Sequence, residues 1–300
     1  MPELPEVETT ARELGKLVSG LKITDVWTSY NSPYYHGKNQ IKNPAFFRKF
    51  KKEVIGKKII GTSRRAKNVL IHLEGNQTIL IHMKMTGHIL YGRYAFRKKE
   101  WVADEEGPLQ DPFNGWIRLA FSLSNKKHFV LSDMRKFAKI TLLKTDELEK
   151  SEDLKNLGPE PLEKSFTPKI FSERISMKPN GKIKTVLMDQ SLLSGVGNIY
   201  SDEALWLTKM HPETIVRNIS PQNMKNLFKH VIDVLKSGIN FGGDSMSDYR
   251  TPSGEKGQFQ EHHNVYQRKG MDCKRRSCNG KIERIVVGGR GTHFCRTCQR

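Results

Sequence analysis

The chain has 300 residues, 36% of them hydrophobic and 28% charged, which is ordinary for a soluble globular protein and enough for two domains. Lysine and arginine total 51 against 32 for aspartate and glutamate, and the net charge of +19 is spread along the chain. This predicts a polyanionic partner, and nucleic acid is favoured over a membrane because no long basic amphipathic helix or lipidation motif is present. No apolar run approaches a membrane span and no signal-peptide pattern is present, so we expect an intracellular protein.

The N-terminus reads Met1-Pro2-Glu3-Leu4-Pro5-Glu6-Val7-Glu8-Thr9 and predicts a helix that begins at Pro5. Glu6 lies where the helix dipole favours negative charge. Removal of Met1 would leave a secondary amine at Pro2, whose pKa is lowered by the positive end of the helix. Such an amine can attack an aldehyde-like carbon to give an iminium. Proline after the first methionine is also common in chains that make no use of it, so the rest of the chain must decide.

Short segments of alternating apolar and polar residues fill the first half of the chain and predict a mostly antiparallel β-sandwich or barrel. The candidate strands cover residues 23–27, 58–62, 69–73, 78–82, 117–123, 129–131 and 139–143. Gly75-Asn76 is a hairpin signal between two of them. Residues 91–115 carry a charge run and are expected to form a long loop.

Helical periodicity begins after Thr145, and Gly158-Pro159-Glu160-Pro161 marks a connector between domains. Candidate helices cover about residues 168–177, 184–190, 199–209 and 221–240. Between the second and third of these lies Gly195-Val196-Gly197-Asn198, a glycine turn that enters a helix. Such a turn can present backbone N–H groups to a phosphate, with the Asn198 side chain as a further donor, or it can simply be a tight connection.

All four cysteines lie in the last 28 residues, as Cys273, Cys278, Cys295 and Cys298. Tetrahedral zinc needs two closely spaced ligand pairs brought together by a hairpin, and the C-x4-C and C-x2-C pairs fit this need. The intervening residues 281–287 alternate like a strand, and Gly288, Gly289 and Gly291 are expected to supply the turn. We therefore expect one structural zinc ion; a pair of disulfides is the alternative, which the lack of a secretory signal disfavours.

Five motifs now stand in one order along the chain. They are the run from Met1 to Thr9, Arg64-Arg65-Ala66-Lys67, Leu157-Gly158-Pro159-Glu160-Pro161, Gly195-Val196-Gly197-Asn198-Ile199-Tyr200 and Gly289-Arg290-Gly291-Thr292-His293-Phe294-Cys295. Together they resemble formamidopyrimidine-DNA glycosylase over nearly the whole chain. The resemblance implies an α+β fold, with an N-terminal helix and catalytic antiparallel β-sandwich domain (1–146), a helical DNA-binding domain with a helix-two-turn-helix motif (147–262) and a zinc-finger β-hairpin (263–300).

The resemblance also implies a base-excision repair enzyme that flips an oxidised purine, a formamidopyrimidine or 8-oxoguanine, out of duplex DNA, removes it and cleaves the abasic strand by β,δ-elimination. Pro2 would attack C1′ to form a Schiff base, and Glu3 would manage protons on the sugar. Glu6 would be a supporting acid or only a helix cap. Lys67 would contact or protonate the damaged nucleotide, and Arg290 would grip the flanking phosphate and assist the second elimination.

Six further residues match DNA contacts of the family. The expected phosphate contacts are Lys184, Asn198 and Tyr266, and the residues expected to fill the gap left by the flipped nucleotide are Met85, Arg135 and Phe137. The expected partner is double-stranded DNA with oxidised or abasic nucleotides, bound by a monomer inside the cell, in the cytoplasm or nucleoid if the source is a bacterium. The zinc ion would be structural and would take no part in the chemistry.

Several features leave alternatives open. The sister branch that prefers oxidised pyrimidines usually begins Met-Pro-Glu-Gly-Pro-Glu, whereas this chain has Leu4. Residues 242–260 look like the flexible loop that closes over 8-oxoguanine, so oxidised purines are favoured.

The C-x4-C pair departs from the usual C-x2-C, and Asn114-Gly115-Trp116 stands where His-Asp-His is common. A lesion-binding protein without catalysis is a second hypothesis, and a zinc-containing RNA-binding protein, for which no pattern of aromatic platforms is visible, is a third.

Overall fold

A computed structural model describes residues 1–300, and it divides the chain between two units whose segments alternate along the sequence. Unit 1 comprises Met1–Lys155 and Phe241–Gln258, and unit 2 comprises Asn156–Asn240 and Phe259–Arg300. The three domains expected from the sequence, 1–146, 147–262 and 263–300, stay a prediction. No helix has the length and apolar character needed to cross a membrane.

Unit 1 contains two helices and ten strands. The helices are α1 (Leu4–Val18) and α2 (Pro44–Val54), and the strands are β1 (Ile23–Thr28), β2 (Ile59–Arg65), β3 (Asn68–Leu73), β4 (Gln77–His82), β5 (His88–Gly92), β6 (Tyr94–Arg97), β7 (Glu100–Ala103), β8 (Ile117–Leu123), β9 (His128–Ser132) and β10 (Lys139–Lys144). Two antiparallel four-stranded sheets have the orders β1-β8-β9-β5 and β10-β4-β3-β2, and β6 pairs with β7 alone. All seven predicted strands are present.

The two four-stranded sheets and both helices share one hydrophobic core. Strand alternation turns Val26, Ile71 and Phe121 inward, and α1 and α2 add Leu14 and Phe50; none of these five side chains is more than 1% exposed. Full burial of a large apolar side chain stabilises a fold by about 2 kcal/mol. The core thus provides a rigid frame for the loops at its edges.

Helix α2 was not predicted, although its sequence carries a helix signal. Asn43 caps it by accepting the N–H of Ala45 at 3.1 Å, and Pro44 occupies the first turn, where its missing N–H is harmless. Phe50 and Val54 follow at helical spacing and are buried. The strand pattern on either side hid this short amphipathic segment.

The hairpin formed by β6 and β7 corrects the expectation of a single long loop over residues 91–115. The strands pair from Tyr94 with Ala103 to Arg97 with Glu100. The two residues between them are Lys98 and Lys99, with φ of 49° and 68°. Such turns usually contain Asn-Gly, because both central residues need positive φ. The expectation was wrong because two lysines give no turn signal.

Unit 2 contains four helices and one hairpin. They are α3 (Pro168–Ser176), α4 (Ile183–Leu187), α5 (Asn198–Thr208), α6 (Pro221–Asn240), β11 (Ile282–Val287) and β12 (Arg290–Cys295). Helices α5 and α6 approach closely because Gly238 lacks a side chain: a Cβ there would lie 2.5 Å from the Tyr200 ring. All four predicted helices are present, and the predicted α+β class is confirmed.

The turn of the β11–β12 hairpin is shorter than expected. Val287 pairs with Arg290, so only Gly288 and Gly289 form the turn, with φ of 57° and 75°. Gly291, which was expected in the turn, instead pairs with Val286 inside the hairpin. That expectation was wrong because three closely spaced glycines do not show which pair takes the left-handed conformation.

Candidate active site and nucleic-acid interface

The first turn of α1 fixes the N-terminal residues. Pro2 and Glu3 are buried, and Met1 is 40% exposed. The N–H of Glu3 donates to Glu6 Oε2 at 2.7 Å in a capping box. Glu6 Oε1 accepts the N–H of Asp244 at 2.8 Å. Glu6 therefore has the geometry of a helix cap, and its carboxylate also joins α1 to the segment 241–258.

The segment 241–258 packs within unit 1 through buried polar contacts. The Tyr249 hydroxyl donates to the Glu6 carbonyl at 3.0 Å. Arg250 is 1% exposed, and its Nε and Nη2 donate to Asp111 Oδ2 at 3.2 and 3.1 Å. A buried guanidinium requires such a partner, because an uncompensated charge in the interior is strongly destabilising. The stretch expected to be a flexible loop is thus anchored at both its start and its centre.

Asn114 stands where a histidine of the family's His-Asp-His was expected, and it is buried. Its Nδ2 donates to the carbonyls of Pro108 and Gly254 at 2.8 and 3.1 Å, and its Oδ1 lies 2.9 Å from His88 Nε2. Burial lowers the pKa of His88 to about 4, so the ring is neutral near pH 7 and donates to the amide oxygen. Asn114 therefore joins three segments of unit 1.

Lys67 lies in a tight turn between β2 and β3 and is 7% exposed. The preceding Ala66 has a φ of 52°, which costs a residue other than glycine about 1 kcal/mol. Arg64 fixes this turn: its Nη1 donates to the Ala66 carbonyl at 3.0 Å, and its Nε donates to Glu8 Oε2 at 2.8 Å. Because Glu8 lies in α1, the turn is tied to the helix that begins beside Glu3.

A buried histidine responds to the positive charge near Lys67. Burial, followed by the charges of Lys84, Lys67 and Lys139, lowers the pKa of His82 to about 3. Its Nδ1 accepts the N–H of Lys84 at 3.0 Å, as an unprotonated ring nitrogen can. Three lysines thus surround a neutral imidazole, and one of them, Lys139, is paired with Asp153.

Two loops of unit 1 present the residues expected to fill the duplex gap. Asp133 is fully buried and accepts the Thr86 hydroxyl at 2.6 Å, while the N–H of Arg135 donates to the same hydroxyl at 3.2 Å. These bonds hold together the loops that carry Met85 and Phe137, which are 36% and 47% exposed. The Arg135 guanidinium lies 4.4 Å from the Phe137 ring centroid. Each of the two loops therefore exposes an apolar side chain from a base that Asp133 and Thr86 fix.

Lys184, in α4, is fully buried. Its ammonium group donates to the Asn198 carbonyl at 2.8 Å, to Ser201 Oγ at 2.8 Å and to Asp202 Oδ1 at 2.5 Å. Three acceptors satisfy its three N–H donors, as a buried charge requires. A direct phosphate contact by Lys184 stays a prediction; the contacts observed join α4 to the first turn of α5.

Helix α5 also fixes the zinc hairpin within unit 2. Asn198 Nδ2 donates to the Gly291 carbonyl at 2.9 Å, so the amide predicted to meet a phosphate holds β12 here. One turn further on, Asp202 Oδ2 accepts the N–H of His293 at 2.8 Å. The two side chains grip β12 at alternate residues, which sets its position along α5.

Tyr266 is half-buried and held through its backbone. Its N–H donates to Glu203 Oε1 at 2.9 Å, and the same carboxylate accepts the N–H groups of Asn264 and Val265. The Tyr266 ring meets the His293 ring edge-on, with centroids 5.2 Å apart. Glu203 therefore places the tyrosine predicted to contact a phosphate beside β12.

Arg290 is exposed at the tip of the β11–β12 hairpin, directly after Gly288-Gly289. A Cβ on Gly288 would overlap with the Thr185 methyl group, so the tip closely approaches α4. An exposed guanidinium at such a tip can extend to an external phosphate, for which its planar fork of donors is well suited.

The four cysteines form one compact cluster. Their sulfur atoms all lie within 4.8 Å of one another, with 3.8 Å between Cys273 and Cys298 and 3.6 Å between Cys278 and Cys295. No disulfide is present. Tetrahedral zinc with Zn–S bonds of about 2.3 Å places its ligands at such separations. The predicted site for one metal ion is confirmed, and the C-x4-C spacing does not prevent its assembly.

The longer knuckle of the first cysteine pair has its own packing. The Arg275 guanidinium lies 4.4 Å from the Trp206 ring centroid and donates to the Trp206 carbonyl at 2.6 Å. Trp206 Nε1 in turn lies 3.3 Å from Cys273 Sγ, as a donor to a thiolate would. The extra residues of the knuckle thus anchor the cluster to the end of α5.

Sequence reasoning missed the carboxylates that position these groups. Asp133, Asp202 and Glu203 are each at most 1% exposed and accept two or more hydrogen bonds. A buried acid looks the same in a sequence as an acid on a solvated face. The only available signal was the pair Asp202-Glu203 in a helix whose other residues are all uncharged.

Three family models match the chain. The formamidopyrimidine-DNA glycosylase N-terminal domain matches residues 1–140, the H2TH domain of the same enzyme matches 157–250, and the zinc finger found in FPG and IleRS matches 273–300. The chain is 35% identical to the formamidopyrimidine-DNA glycosylase of Pelotomaculum thermopropionicum, over 100% of this chain and 99% of that protein.

Solved structures give the same relationship. A complex of a Lactococcus lactis FPG mutant with Fapy-dG-containing DNA is similar with a TM-score of 0.83 and 33% identity, over 100% of both chains. A complex of MutM with DNA containing carbocyclic 8-oxo-G is similar with a TM-score of 0.81 and 33% identity, again over 100% of both chains. These likenesses extend over the whole length of the chain.

Proposed function

Because this chain belongs to the formamidopyrimidine-DNA glycosylase family, we propose that it removes oxidised purines, formamidopyrimidines and 8-oxoguanine, from duplex DNA and then cleaves the abasic strand. The two similar structures contain Fapy-dG and 8-oxo-G, which are lesions of this class. The charge of +19 supports a duplex as partner, and we propose that a monomer binds it.

The N-terminal turn carries the proposal. Once Met1 has been cleaved, the Pro2 nitrogen is a secondary amine with a free electron pair. It forms a bond to C1′ as the glycosidic bond breaks, and the base leaves with a proton. The C1′–O4′ bond then breaks as the sugar ring opens and O4′ takes up a proton, and the iminium formed in this way makes a C2′ hydrogen acidic. Loss of that proton breaks the C3′–O bond, and a second elimination breaks the C5′–O bond.

Four residues are proposed to assist these steps. Glu3, whose N–H is bound by Glu6, moves protons at the sugar as the ring opens and the base leaves. Glu6 acts by holding Glu3 and the segment 241–258 rather than by touching the sugar. Lys67 contacts or protonates the damaged nucleotide from a turn that Arg64 fixes against α1. A fixed turn suits this role, because a small displacement of a catalytic group is costly.

Contacts with the duplex are proposed for residues of both units. The proposed phosphate contacts are Arg290, Asn198 and Tyr266, and Lys184 is proposed to support them through its hydrogen bonds to α5. The residues proposed to fill the gap left by the flipped nucleotide are Met85, Arg135 and Phe137. Arg290 is also proposed to assist the second elimination. Exposure of Met85, Phe137 and Arg290 supports these roles, since each must reach DNA.

The metal is proposed to act on structure alone. Cys273, Cys278, Cys295 and Cys298 would hold zinc, which cross-links the base of the hairpin that carries Arg290. Four protein ligands leave no open position for substrate. Catalysis therefore falls to the side chains and the terminal amine.

The test is covalent trapping with borohydride, which reduces the iminium. Met1-processed protein is incubated with duplex DNA that carries one 8-oxoguanine opposite cytosine, in the presence of borohydride. We expect a covalent complex with the unaltered protein and its loss in Pro2→Gly. Pro33→Gly, an exposed proline in a short helical turn of unit 1, is the matched control and should trap as well as the unaltered chain.

Each outcome selects one hypothesis. Trapping that depends on Pro2 supports the proposed enzyme and nucleophile. Trapping only on an oxidised pyrimidine or an abasic site would retain the enzyme and change its substrate. Absence of trapping on all these substrates, together with retained binding to them, would overturn catalysis in favour of the binding-only hypothesis.

A further inference from the structure

Three of the four tryptophans of the chain line one cavity of unit 1. The cavity has a volume of about 570 Å³, and its tryptophans are Trp27, Trp101 and Trp116. They are far apart in sequence, and the β6–β7 hairpin brings them together. A volume of this size lies in the range of sites that bind small molecules.

Packing accounts for two of the tryptophans but not for the third. Trp27 and Trp101 are half-buried, with ring centroids 6.3 Å apart, and Phe96 lies 5.6 Å from Trp27. These rings support the hairpin. Trp116, in contrast, is 46% exposed. A large aromatic face left open beside a cavity is available for stacking with a planar ligand.

Two residues that line the cavity carry buried polar atoms without a partner. They are Trp101 Nε1 and Ser29 Oγ. An indole N–H is a donor only, and a hydroxyl can donate or accept. Both atoms are closed off from solvent, and the Trp101 ring also packs against the His128 ring with centroids 4.8 Å apart, so a partner reaches Trp101 Nε1 only when the cavity wall moves locally.

The rim of the cavity is cationic on two sides. The Arg118 guanidinium lies 5.5 Å from the Trp116 ring centroid, and Lys99 projects from the β6–β7 turn. Glu100 is the one acidic residue in the lining. Arg118 Nε also donates to the Asp133 carbonyl at 3.3 Å. The cavity therefore adjoins the loop that carries Arg135 and Phe137.

From this cluster we propose a second nucleic-acid site: the cavity binds one unpaired nucleobase of a DNA strand. The base stacks against Trp116, Arg118 and Lys99 face its phosphates, and a local movement of the cavity wall lets a carbonyl or ring nitrogen of the base accept from Trp101 Nε1. Stacking platforms combined with cations are how proteins hold single strands. The site is separate from the N-terminal turn and takes undamaged DNA.

The charge of the chain favours a nucleobase over an aromatic or proline side chain of a protein partner. An aromatic or proline side chain carries no charge to pair with the two cations at the rim, whereas each nucleotide brings a phosphate beside its base. The orphaned Trp101 donor likewise matches the acceptors on the edge of every base. The location beside the gap-filling loop supplies a source of unpaired bases, since duplex distortion there exposes them.

The experiment compares two undamaged duplexes, one blunt and one with a short single-stranded thymidine tail. Affinity is measured by competition, and occupancy is followed by tryptophan fluorescence, because three of the four tryptophans line the cavity. We expect the unaltered chain to prefer the tailed duplex by about fivefold or more, the gain typical of stacking one base. Tryptophan emission should fall on binding of the tailed duplex only.

Two variants locate the effect. Trp116→Ala removes the stacking face and should abolish the preference, and Trp101→Phe keeps a ring but removes the donor and should reduce it. Tyr34→Ala, an 85% exposed aromatic outside the cavity, should retain the full preference. Equal affinity of the unaltered chain for both duplexes, or a preference that survives Trp116→Ala, would overturn the proposal. Excision of a lesion from a blunt duplex is expected to be unchanged in Trp116→Ala, which separates this site from the proposed chemistry.

Discussion

Two hairpins, one in each unit, present a cation beside a tight turn, and they are stabilised in opposite ways. Lys67 lies in the turn between β2 and β3, inside a four-stranded sheet, and is almost fully buried. Arg290 follows the turn of an isolated two-stranded hairpin and is exposed. The first turn is fixed by Arg64 through the Ala66 carbonyl and Glu8.

The second hairpin has no sheet to support it and depends on its base. Four cysteine sulfurs gather there, and Asn198 and Asp202 hold β12 from α5. Two-stranded hairpins are marginal in water by themselves. The comparison teaches that a buried cation is positioned by the core around it, whereas an exposed one at the same kind of turn needs a cross-link elsewhere in its hairpin.

Removal of the metal is the change expected to have the largest effect on the difference between the two hairpins. In Cys298→Ser, or after treatment with a strong chelator, the β11–β12 hairpin should unfold, because zinc contributes about 10 kcal/mol or more to domains of this kind. DNA affinity should fall by about a hundredfold as Arg290 loses its position. Hydrogen exchange of peptides from the two hairpins measures the effect: protection should vanish at 282–295 and persist at 68–73. Equal loss in both would show that the hairpins are not independently stabilised.

Acid should weaken the four-stranded sheet that carries the hairpin of Lys67, because His82 at the end of β4 pairs with Asn68 in that sheet. The pKa of His82 is about 3 in the folded chain against about 6.5 when unfolded, so the unfolded state binds the proton more readily. Stability is therefore complete above pH 6.5 and falls as the pH drops towards 3, by about 2 kcal/mol at pH 5. Denaturant unfolding at pH 7 and pH 5 measures the difference.

Two variants control that prediction. His82→Gln should lose about this part of the acid sensitivity, while the buried His88, whose pKa is about 4, continues to contribute with the same sign. Lys67→Met removes a neighbouring positive charge, so the pKa of His82 should rise and the acid sensitivity should diminish. A pH dependence that is identical in all three proteins would contradict the assignment to His82.

The glycine turn of the second hairpin offers a matched pair of smaller changes. Gly288→Ala and Gly289→Ala each place a side chain at positive φ, at a cost of about 1 kcal/mol. Only Gly288→Ala also meets the Thr185 methyl group, so it should be the more damaging by about 1 kcal/mol. Thermal unfolding of both variants, and of Gly288→Ala combined with Thr185→Ala, tests this. Failure of the second substitution to rescue the first would exclude the clash as the cause.

The smallest expected effect lies at the turn of the first hairpin. Ala66→Gly relieves the strain of a φ of 52° but adds freedom to the unfolded chain, so the free energy of unfolding should rise by only about 0.5 kcal/mol. Differential scanning calorimetry can detect a shift of this size. A fall in stability would mean that the Ala66 methyl group makes contacts that outweigh the strain.

Much of the fold could be predicted because its signals are local. Alternation identified seven strands, helical spacing identified α1 and the four helices of unit 2, and cysteine spacing identified the metal cluster. The β6–β7 hairpin could not be predicted, because its turn residues, Lys98 and Lys99, give no turn signal. Contacts between distant residues, such as the rings of Trp27 and Trp101, hold the hairpin in place with both lysines at positive φ.

The site was less accessible to sequence reasoning because its parts depend on contacts between distant residues. The burial of Lys184 depends on three acceptors in α5, and the link that Glu6 makes to the segment 241–258 depends on the N–H of Asp244. No pattern in the sequence distinguishes a lysine that faces a phosphate from one paired inside the protein.

The segment 241–258 has a consequence for how the chain is made. Unit 1 is not complete until this segment has been synthesised, although residues 1–155 leave the ribosome long before it. Until then Asp111 lacks its guanidinium partner and Asn114 lacks the Gly254 carbonyl. The β-sandwich can therefore complete these contacts only after α3 to α6 have been synthesised, so unit 1 cannot reach its final set of contacts strictly in the order of synthesis.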